Sequence, residues 1–210
     1  SRKRIKFFID NAEKWLGDET VFKEQNLVEK ITFEPLGIIG NISAWNYPYL
    51  VGVNVFIPAL IAGNGVLYKP SEYATLTGME IQKLLHAAGV PENVFQTLAG
   101  GRETGEALLQ LPLDGYFFTG SYKTGKHIYE TVAPKMVPCQ LELGGKDPLY
   151  VTDENDDIRT VAKAAAEGAF YNSGQSCCSV ERIYVHKRVY DKFIIEFLNE
   201  VKSYKVGNPK

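Results

Sequence analysis

Apolar side chains recur at helical spacing over the first residues of the chain. These positions are Ile5, Phe8, Ile9, Ala12 and Leu16. Gly17 follows where a C-terminal cap belongs, so the pattern predicts an amphipathic helix that packs on another element. Residues 20–34 have mixed polarity with β-favouring stretches such as 30–33. They predict an exposed hairpin or arm.

From Gly37 onward, short apolar runs alternate with helical patterns. The runs cover residues 37–42, 65–69, 94–99, 115–119 and 148–152. Strands that are buried on both faces and alternate with helices are typical of a parallel sheet. We therefore predict an α/β fold, a doubly wound (Rossmann-like) parallel sheet with helices on both faces, followed by the beginning of a second α/β catalytic domain.

Helical patterns fill the intervals between these runs. One helix is predicted from the apolar residues Leu76, Met79, Ile81, Leu84 and Leu85, with Gly89 at its end. A second begins at Asp156–Asp157, where acidic side chains favour a helix N-terminus. Its predicted inward face consists of Val161, Ala162, Ala165 and Ala169. A last strand, 182–186, leads into a helix over 190–201.

Composition and charge exclude several classes of protein. The chain has 210 residues, 45% of them hydrophobic, which is enough to bury a sizeable core. A net charge of −2 and the absence of long like-charge runs argue against nucleic acid and acidic membrane surfaces as partners. No apolar stretch reaches 18 residues, so we expect no membrane span and a cytoplasmic protein.

Cys139, Cys177 and Cys178 are too few and too unevenly placed for a disulfide framework or a four-ligand zinc site. A lone nucleophile is the better use for one of them. The first residue, Ser1, is not a start Met, and the chain stops at 206–210 just after a predicted helix. We expect a fragment of a longer protein.

Two segments contain candidate catalytic residues. Cys177 and Cys178 follow a helix and a glycine turn and have Ser, Gln and Asn as neighbours, which suggests a thiol with polar access. A structural, buried thiol is an equal alternative. Glu142 lies between Leu141 and Leu143, and apolar neighbours raise the pKa of a carboxyl towards neutrality. The alternative is a glutamate on an exposed strand face.

Two further segments follow strands at the edge where α/β sheets bind ligands. Asn46 comes after the 37–42 run and has an amide that can donate to an oxyanion. It could equally be a turn residue held by its own backbone. Lys69 and Glu72 follow the 65–69 run and could contact the ribose and phosphate of a nucleotide, or form an ordinary solvated pair.

The segment 120–126 follows a predicted strand and opens a helix, so its backbone amides can meet a pyrophosphate. It nearly fits the P-loop pattern, but the last position is His127, which has no hydroxyl for Mg²⁺. A P-loop nucleoside triphosphatase is therefore a distant alternative. His86, His127 and His186 have no metal-ligand spacing, and we assign them structural roles.

The order and spacing of these segments resemble the aldehyde dehydrogenase family along essentially the whole chain. The motifs that carry the resemblance are Trp-Asn-x-Pro at 45–48, Lys-Pro-x-Glu at 69–72, Phe-Thr-Gly-Ser at 118–121, Glu-Leu-Gly-Gly-Lys at 142–146 and Gly-Gln-x-Cys at 174–177. The resemblance implies oxidation of an aldehyde to a carboxylic acid through a cysteine thioester. Cys177 is then the nucleophile, Asn46 holds the oxyanion and Glu142 is the general base.

The same resemblance implies a nicotinamide dinucleotide cofactor. The residues expected to contact it are Ile42, Ser43, Trp45, Lys69, Ser71, Glu72, Gly101, Gly105, Phe118, Thr119, Gly120, Ser121, Thr124 and Leu143. The Glu72 carboxylate would accept hydrogen bonds from ribose hydroxyls and repel a 2′-phosphate. NAD is therefore favoured, with NADP possible and no metal.

The resemblance also implies a domain organisation. Residues 1–17 and 35–143 are expected to form the dinucleotide-binding domain, 18–34 part of an oligomerisation arm, and 144–210 the start of the catalytic domain. The full-length protein is expected to form a homodimer or homotetramer. The family's later segments would follow residue 210, so a non-catalytic dinucleotide-binding module is the alternative function.

Overall fold

The computed structural model describes residues 2–208 and divides the chain into two compact units, residues 1–143 and 144–210. The strands of the first unit are β1 (Glu19–Glu24), β2 (Leu27–Ile31), β3 (Ile38–Ile42), β4 (Gly65–Lys69), β5 (Phe95–Thr97), β6 (Gly115–Gly120) and β7 (Cys139–Leu143). Its α-helices are α1 (Arg2–Leu16), α2 (Val53–Ile61), α3 (Thr75–Ala87), α4 (Arg102–Gln110) and α5 (Tyr122–Val132). Short 3₁₀ turns cover Glu72–Ala74 and Ala133–Lys135.

A five-stranded parallel sheet forms the centre of the first unit. Its strand order is β5-β4-β3-β6-β7, so the chain moves outward from β3 in one direction and then returns to β3 to continue on the other side. This reversal is the topological switch point of a doubly wound fold. It confirms the predicted α/β fold with a Rossmann-like sheet.

Helices cover both faces of this sheet. On one face, Phe56 of α2 and Ile81 of α3 pack with Tyr68 and Phe95 of the sheet, and α1 adds Ile5 and Phe8 among other partly buried residues. On the other face, α4 and α5 contribute Leu108, Leu109, Ile128 and Val132 to a second cluster with Tyr116 and Phe118. Burial on both faces explains why β4 and β6 have nearly continuous apolar sequences.

The predicted hairpin is present as the antiparallel pair β1–β2. Every residue of both strands is exposed, including the apolar Val21, Phe22, Leu27 and Val28. Strands with unburied apolar side chains gain little from the hydrophobic effect within their own unit. The hairpin is therefore held mainly by its own backbone ladder.

The second unit contains β8 (Asp147–Val151), α6 (Ile158–Phe170), a 3₁₀ turn (Tyr171–Gly174), β9 (Val180–Val185) and α7 (Tyr190–Ser203). β8 and β9 pair in parallel, and α6 packs on α7. Ile158, Ala162, Ala165 and Phe193 form its core with Val151. The small alanines allow α6 to approach its neighbours closely.

One sequence expectation needs correction. The run 148–152 was expected to belong to the doubly wound sheet, but β8 pairs with β9 in a separate sheet, and β7 takes the fifth place. The predicted helix around Ile81 is present as α3, in which Ile81 is buried while Leu76, Met79 and Leu84 are exposed. Membership of a sheet depends on distant partners, which local apolarity does not report.

Over the described residues 2–208, the helices are too short or too polar to cross a membrane.

Candidate active site and cofactor cleft

A cavity of about 570 Å³ lies at the carboxyl ends of β3, β4 and β6, against α4 and α5. Ile42 is level with Lys69 on one side and with Phe118 on the other, so three strands end at one edge. This is the switch point between β3 and β6, where open α/β sheets leave a crevice. The volume is in the range of small-molecule and cofactor sites.

Lys69 and Glu72 both line the cavity wall. Lys69 is buried, with 5% of its surface exposed, so it is not the solvated residue of the alternative interpretation. Burial lowers the pKa of Lys69, and the Glu72 carboxylate opposes that effect. Glu72 begins a 3₁₀ turn whose N-cap is Ser71, and the Ser71 hydroxyl also contacts the Glu72 carboxylate at 3.4 Å. A cation and an anion are thus fixed on one wall.

The N-terminus of α5 faces the same cavity. Ser121 is its N-cap and accepts a hydrogen bond from the Thr124 backbone N–H at 3.3 Å. The positive end of the helix dipole and the adjacent amides favour an anion there. Gly125 allows close packing behind this turn, because a Cβ at that position would lie 2.5 Å from Leu143 Cδ2.

Most residues expected to contact a cofactor line this cavity. They are Ile42, Ser43, Trp45, Lys69, Ser71, Glu72, Gly105, Phe118, Thr119, Gly120, Ser121 and Thr124. The expected residues Gly101 and Leu143 are not among the lining residues. Gly101 is the N-cap of α4, and Leu143 packs against the hydrophobic core.

Sequence reasoning missed several residues of the cavity wall: Ala44, Tyr73, Arg102, Glu106, Leu109, Lys123, His127 and Ile128. His127 is notable because the sequence suggested a structural role for it. It lies one turn beyond Thr124 on α5, which is helical spacing, so continuing the predicted phosphate-binding helix by one turn could have identified it. His86, in contrast, contacts the Phe95 backbone carbonyl at 2.9 Å, which agrees with a structural role.

Asn46 lies in the segment between β3 and α2. The side chain is half-buried, and its carbonyl oxygen is fully buried. The neighbouring Tyr47 carbonyl accepts hydrogen bonds from the backbone N–H groups of Leu50 and Val51, which folds the segment into turns. Asn46 therefore sits on an ordered turn just beyond the carboxyl end of a sheet strand.

Glu142 lies on β7, and its environment differs from the one that the sequence suggested. Along this strand, residues alternate between partial burial and exposure, and Glu142 is exposed. Leu141 and Leu143 point to the opposite face, because side chains alternate along a strand, so they do not enclose the carboxylate. The Gln140 amide donates a hydrogen bond to it at 3.4 Å. Within this chain Glu142 occupies an exposed strand face.

Cys177 and Cys178 lie in an exposed turn between the 3₁₀ turn and β9, and within residues 2–208 neither forms a disulfide bond. The Ser176 hydroxyl and the Cys178 sulfur are 3.3 Å apart. Exposure with polar neighbours is the setting in which a thiolate reacts, and it argues against the alternative of a buried structural thiol. Cys139 is partly buried, and burial raises its thiol pKa.

The segment before Cys177 has an unusual backbone. Asn172 and Ser173 have φ angles of 50° and 58°, and Gly174 follows at 74°. Non-glycine residues in this region cost about 1–2 kcal/mol each. Ser179, which is buried, donates a hydrogen bond to the Gly174 carbonyl at 3.2 Å and closes the turn. Strained turns of this kind concentrate at functional sites.

The charged residues form no evident metal site. Within residues 2–208, no group of three or more His, Cys, Asp or Glu side chains is arranged to hold a metal ion. Of the remaining charges, His186 pairs with Asp153 at 3.5 Å, and Arg188 contacts the same carboxylate at 2.8 Å. The fold and its cavity define an α/β protein with a doubly wound sheet and a crevice at its switch point.

Comparison with known proteins identifies the family. A sequence model of the aldehyde dehydrogenase family matches residues 1–210, and the chain belongs to this family. It is 36% identical over 208 residues to an aldehyde dehydrogenase of Agaricus bisporus, covering 98% of this chain and 41% of the relative. The chain thus spans less than half the length of that protein.

Solved structures agree with this assignment. The gamma-glutamyl-gamma-aminobutyraldehyde dehydrogenase of Burkholderia cenocepacia J2315 superposes with a TM-score of 0.94 at 35% identity, covering 99% of this chain and 42% of that one. A Mycobacterium tuberculosis aldehyde dehydrogenase complexed with NAD⁺ gives 0.91 at 32% identity, covering 98% and 42%. The doubly wound fold is therefore the fold of known family members.

Proposed function

We propose that the protein containing this chain is an NAD-dependent aldehyde dehydrogenase that works through a thioester on Cys177. The observation that carries the proposal is the cleft at the switch point, with the buried Lys69 and the exposed Glu72 on one wall and the α5 N-terminus on another. Family membership and a similar structure that is complexed with NAD⁺ support it.

The cleft residues fit a nicotinamide dinucleotide. Gly105 lines the cavity without a side chain, and a Cβ there would come within 3.6 Å of Lys69 Cε, so its absence leaves room beside the lysine. Lys69 and Ser71 would contact ribose hydroxyls, and Ser121 and Thr124 would lie beside the pyrophosphate. The Glu72 carboxylate disfavours a 2′-phosphate because of charge repulsion, which favours NAD over NADP.

Three residues of the chain would carry the chemistry. The Cys177 thiolate attacks the aldehyde carbonyl and forms a carbon–sulfur bond, while Asn46 donates a hydrogen bond to the resulting oxyanion. A nicotinamide dinucleotide held in the cleft would supply the acceptor for the hydride that leaves the carbon attached to Cys177, so that a thioester remains on the cysteine. Glu142 would then remove a proton from a water molecule whose oxygen attacks the thioester carbon. The carbon–sulfur bond breaks, which releases the carboxylic acid and restores the Cys177 thiolate.

The cofactor assignment is tested by calorimetric titration of this chain with NAD and NADP. We expect Glu72→Gln to weaken NAD binding about fivefold to tenfold, because hydrogen bonds to a charged group are lost, and to narrow the preference over NADP. Glu80→Gln is the matched control, since Glu80 lies on α3 and pairs with Lys83. The role of Glu72 would be contradicted if both variants lost the same NAD affinity, or if Glu72→Gln lost none.

The mechanism is tested in the whole protein by following aldehyde-dependent formation of NADH. Cys177→Ala should reduce turnover by at least about 10³-fold, and Cys178→Ala should leave most of it intact. A turnover that is unaffected by Cys177→Ala would refute the thioester route. NAD binding without turnover in the whole protein would favour the alternative of a non-catalytic dinucleotide-binding module.

A cytoplasmic location and assembly into a homodimer or homotetramer belong to the same proposal. The exposed apolar strands β1 and β2 support the second part, since an unpaired hairpin edge is a ready surface for association. Sedimentation of the whole protein would determine its assembly state. Cell fractionation would determine where in the cell it is located.

A further inference from the structure

Three charged side chains connect α4 and α5 at the wall of the cofactor cleft. The Glu106 carboxylate contacts His127 Nε2 at 2.9 Å through one oxygen and Arg102 Nε at 3.3 Å through the other. All three residues line the cavity. The proposed chemistry uses none of them.

The same two helices contribute an apolar surface next to this cluster. Leu109 lies one turn beyond Glu106 on α4, and Ile128 follows His127 on α5. Both line the cavity while only 2% and 1% of their surfaces are exposed. This part of the cavity therefore combines an apolar floor with a polar wall. A flat heteroaromatic ring matches such a surface, because its faces are apolar and its edge carries hydrogen-bonding groups.

We propose that Glu106 and His127 select the base of the dinucleotide, with Glu106 accepting a hydrogen bond from the exocyclic amino group of adenine. The inference rests on the proposed cofactor site. An ionised carboxylate only accepts hydrogen bonds, so it pairs with an amino group and repels a carbonyl oxygen at the same ring position. A base with a 6-oxo group, such as hypoxanthine, should therefore bind less well.

Glu106 is well suited to this task because it remains ionised. The hydrogen bond from His127 is the main cause that holds the pKa of Glu106 below its ordinary value, and Arg102 adds to the effect. His127 and Arg102 also fix the orientation of the carboxylate, one on each oxygen, and each oxygen retains a further lone pair. A site with such an oriented acceptor discriminates strongly against a ligand that cannot donate to it.

The test compares NAD with nicotinamide hypoxanthine dinucleotide, in which a 6-oxo group replaces the amino group of adenine and N1 carries a hydrogen. Calorimetric titration of the 210-residue chain should give an affinity about tenfold higher for NAD. Glu106→Gln should reduce this ratio to about 1–2, because an amide can turn to present either a donor or an acceptor. Glu103→Gln is the control, since Glu103 is exposed in the first turn of α4 and is not a lining residue.

The outcomes separate this inference from the proposed function. Equal affinities of the wild-type chain for both dinucleotides, or an unchanged ratio in Glu106→Gln, would overturn the base selection and leave the cofactor site standing. Binding of neither dinucleotide at millimolar concentration would overturn the site and the inference together. Far-UV circular dichroism of each variant shows whether it is folded before titration.

Discussion

Two buried asparagines of the first unit, Asn41 and Asn64, differ in their hydrogen bonding. Asn64 is 6% exposed, and its side chain accepts from the Gly37 backbone N–H and donates to the Ala59 carbonyl, both at 3.0 Å. Asn41 on β3 is completely buried, and within residues 2–208 neither polar atom of its side chain has a hydrogen-bond partner. A buried unpaired amide costs about 1–3 kcal/mol.

We therefore expect opposite results when the two are replaced by leucine. Asn41→Leu should raise the free energy of unfolding by about 1 kcal/mol, because it removes an unpaired amide and adds apolar surface. Asn64→Leu should lower it by about 2 kcal/mol, since it leaves the Gly37 backbone N–H without its partner and removes one of the two hydrogen bonds to the Ala59 carbonyl. Urea denaturation measures both values. A destabilised Asn41→Leu variant would show that this amide has a favourable partner in solution.

Single residues also show where sequence reasoning succeeds and fails. Lys69 and Glu72 were identified because strand ends in α/β sheets are a known location for ligand contacts, and both line the cavity. Glu106 and His127 were not identified, because each is an ordinary polar residue of a helix in its local sequence. Their pairing depends on how α4 lies beside α5. The two residues are 21 positions apart in the sequence, so no local sequence pattern indicates that they form a pair.

At the scale of elements, strands were predicted best where both faces are buried. The run 65–69 coincides with β4, and 115–119 lies within β6. β7 was not among the strands predicted from apolar runs. Its residues alternate between partial burial and exposure, and this alternation interrupts the apolar run.

The start of α6 was also predicted from its acidic residues, and Asp157 is indeed its N-cap. Its carboxylate accepts hydrogen bonds from the Thr160 backbone N–H at 3.1 Å and from the Thr160 hydroxyl at 2.6 Å. The hydroxyl bond is the largest cause of the lowered pKa of Asp157. The ionised form is thus favoured in the folded state.

This lowered pKa makes the stability of α6 depend on pH. Because the folded-state pKa lies below the unfolded-state value, the stabilisation is complete above the unfolded pKa and is lost as the pH falls through the folded one. Asp157→Asn keeps a capping oxygen but does not titrate, so its melting temperature should fall less between pH 6 and pH 3, as measured by circular dichroism. Asp156→Asn, at the neighbouring exposed position, should retain the wild-type dependence. If the melting temperatures of the wild type and both variants fell by the same amount between pH 6 and pH 3, Asp157 would not be the source of the pH dependence.

At the scale of the whole molecule, each of the two units has a hydrophobic core of its own. Phe95 belongs to a core cluster of residues 1–143 and has 0% of its surface exposed, and Phe193 belongs to the cluster of residues 144–210 with 2% exposed. Both tryptophans, Trp15 and Trp45, lie in the first unit. Tryptophan fluorescence therefore reports on one unit, whereas circular dichroism reports on the helices of both.

Separate cores should unfold as separate cooperative units, so the urea transitions seen by fluorescence and by circular dichroism should not coincide. Truncating a buried phenylalanine to alanine costs about 3–5 kcal/mol. Phe193→Ala should then shift only part of the circular dichroism transition and leave the fluorescence midpoint in place, and Phe95→Ala should move the fluorescence midpoint to lower urea. If Phe193→Ala displaced both signals equally, the two units would have to fold as one, and the second unit could not be treated as an independently stable start of a catalytic domain.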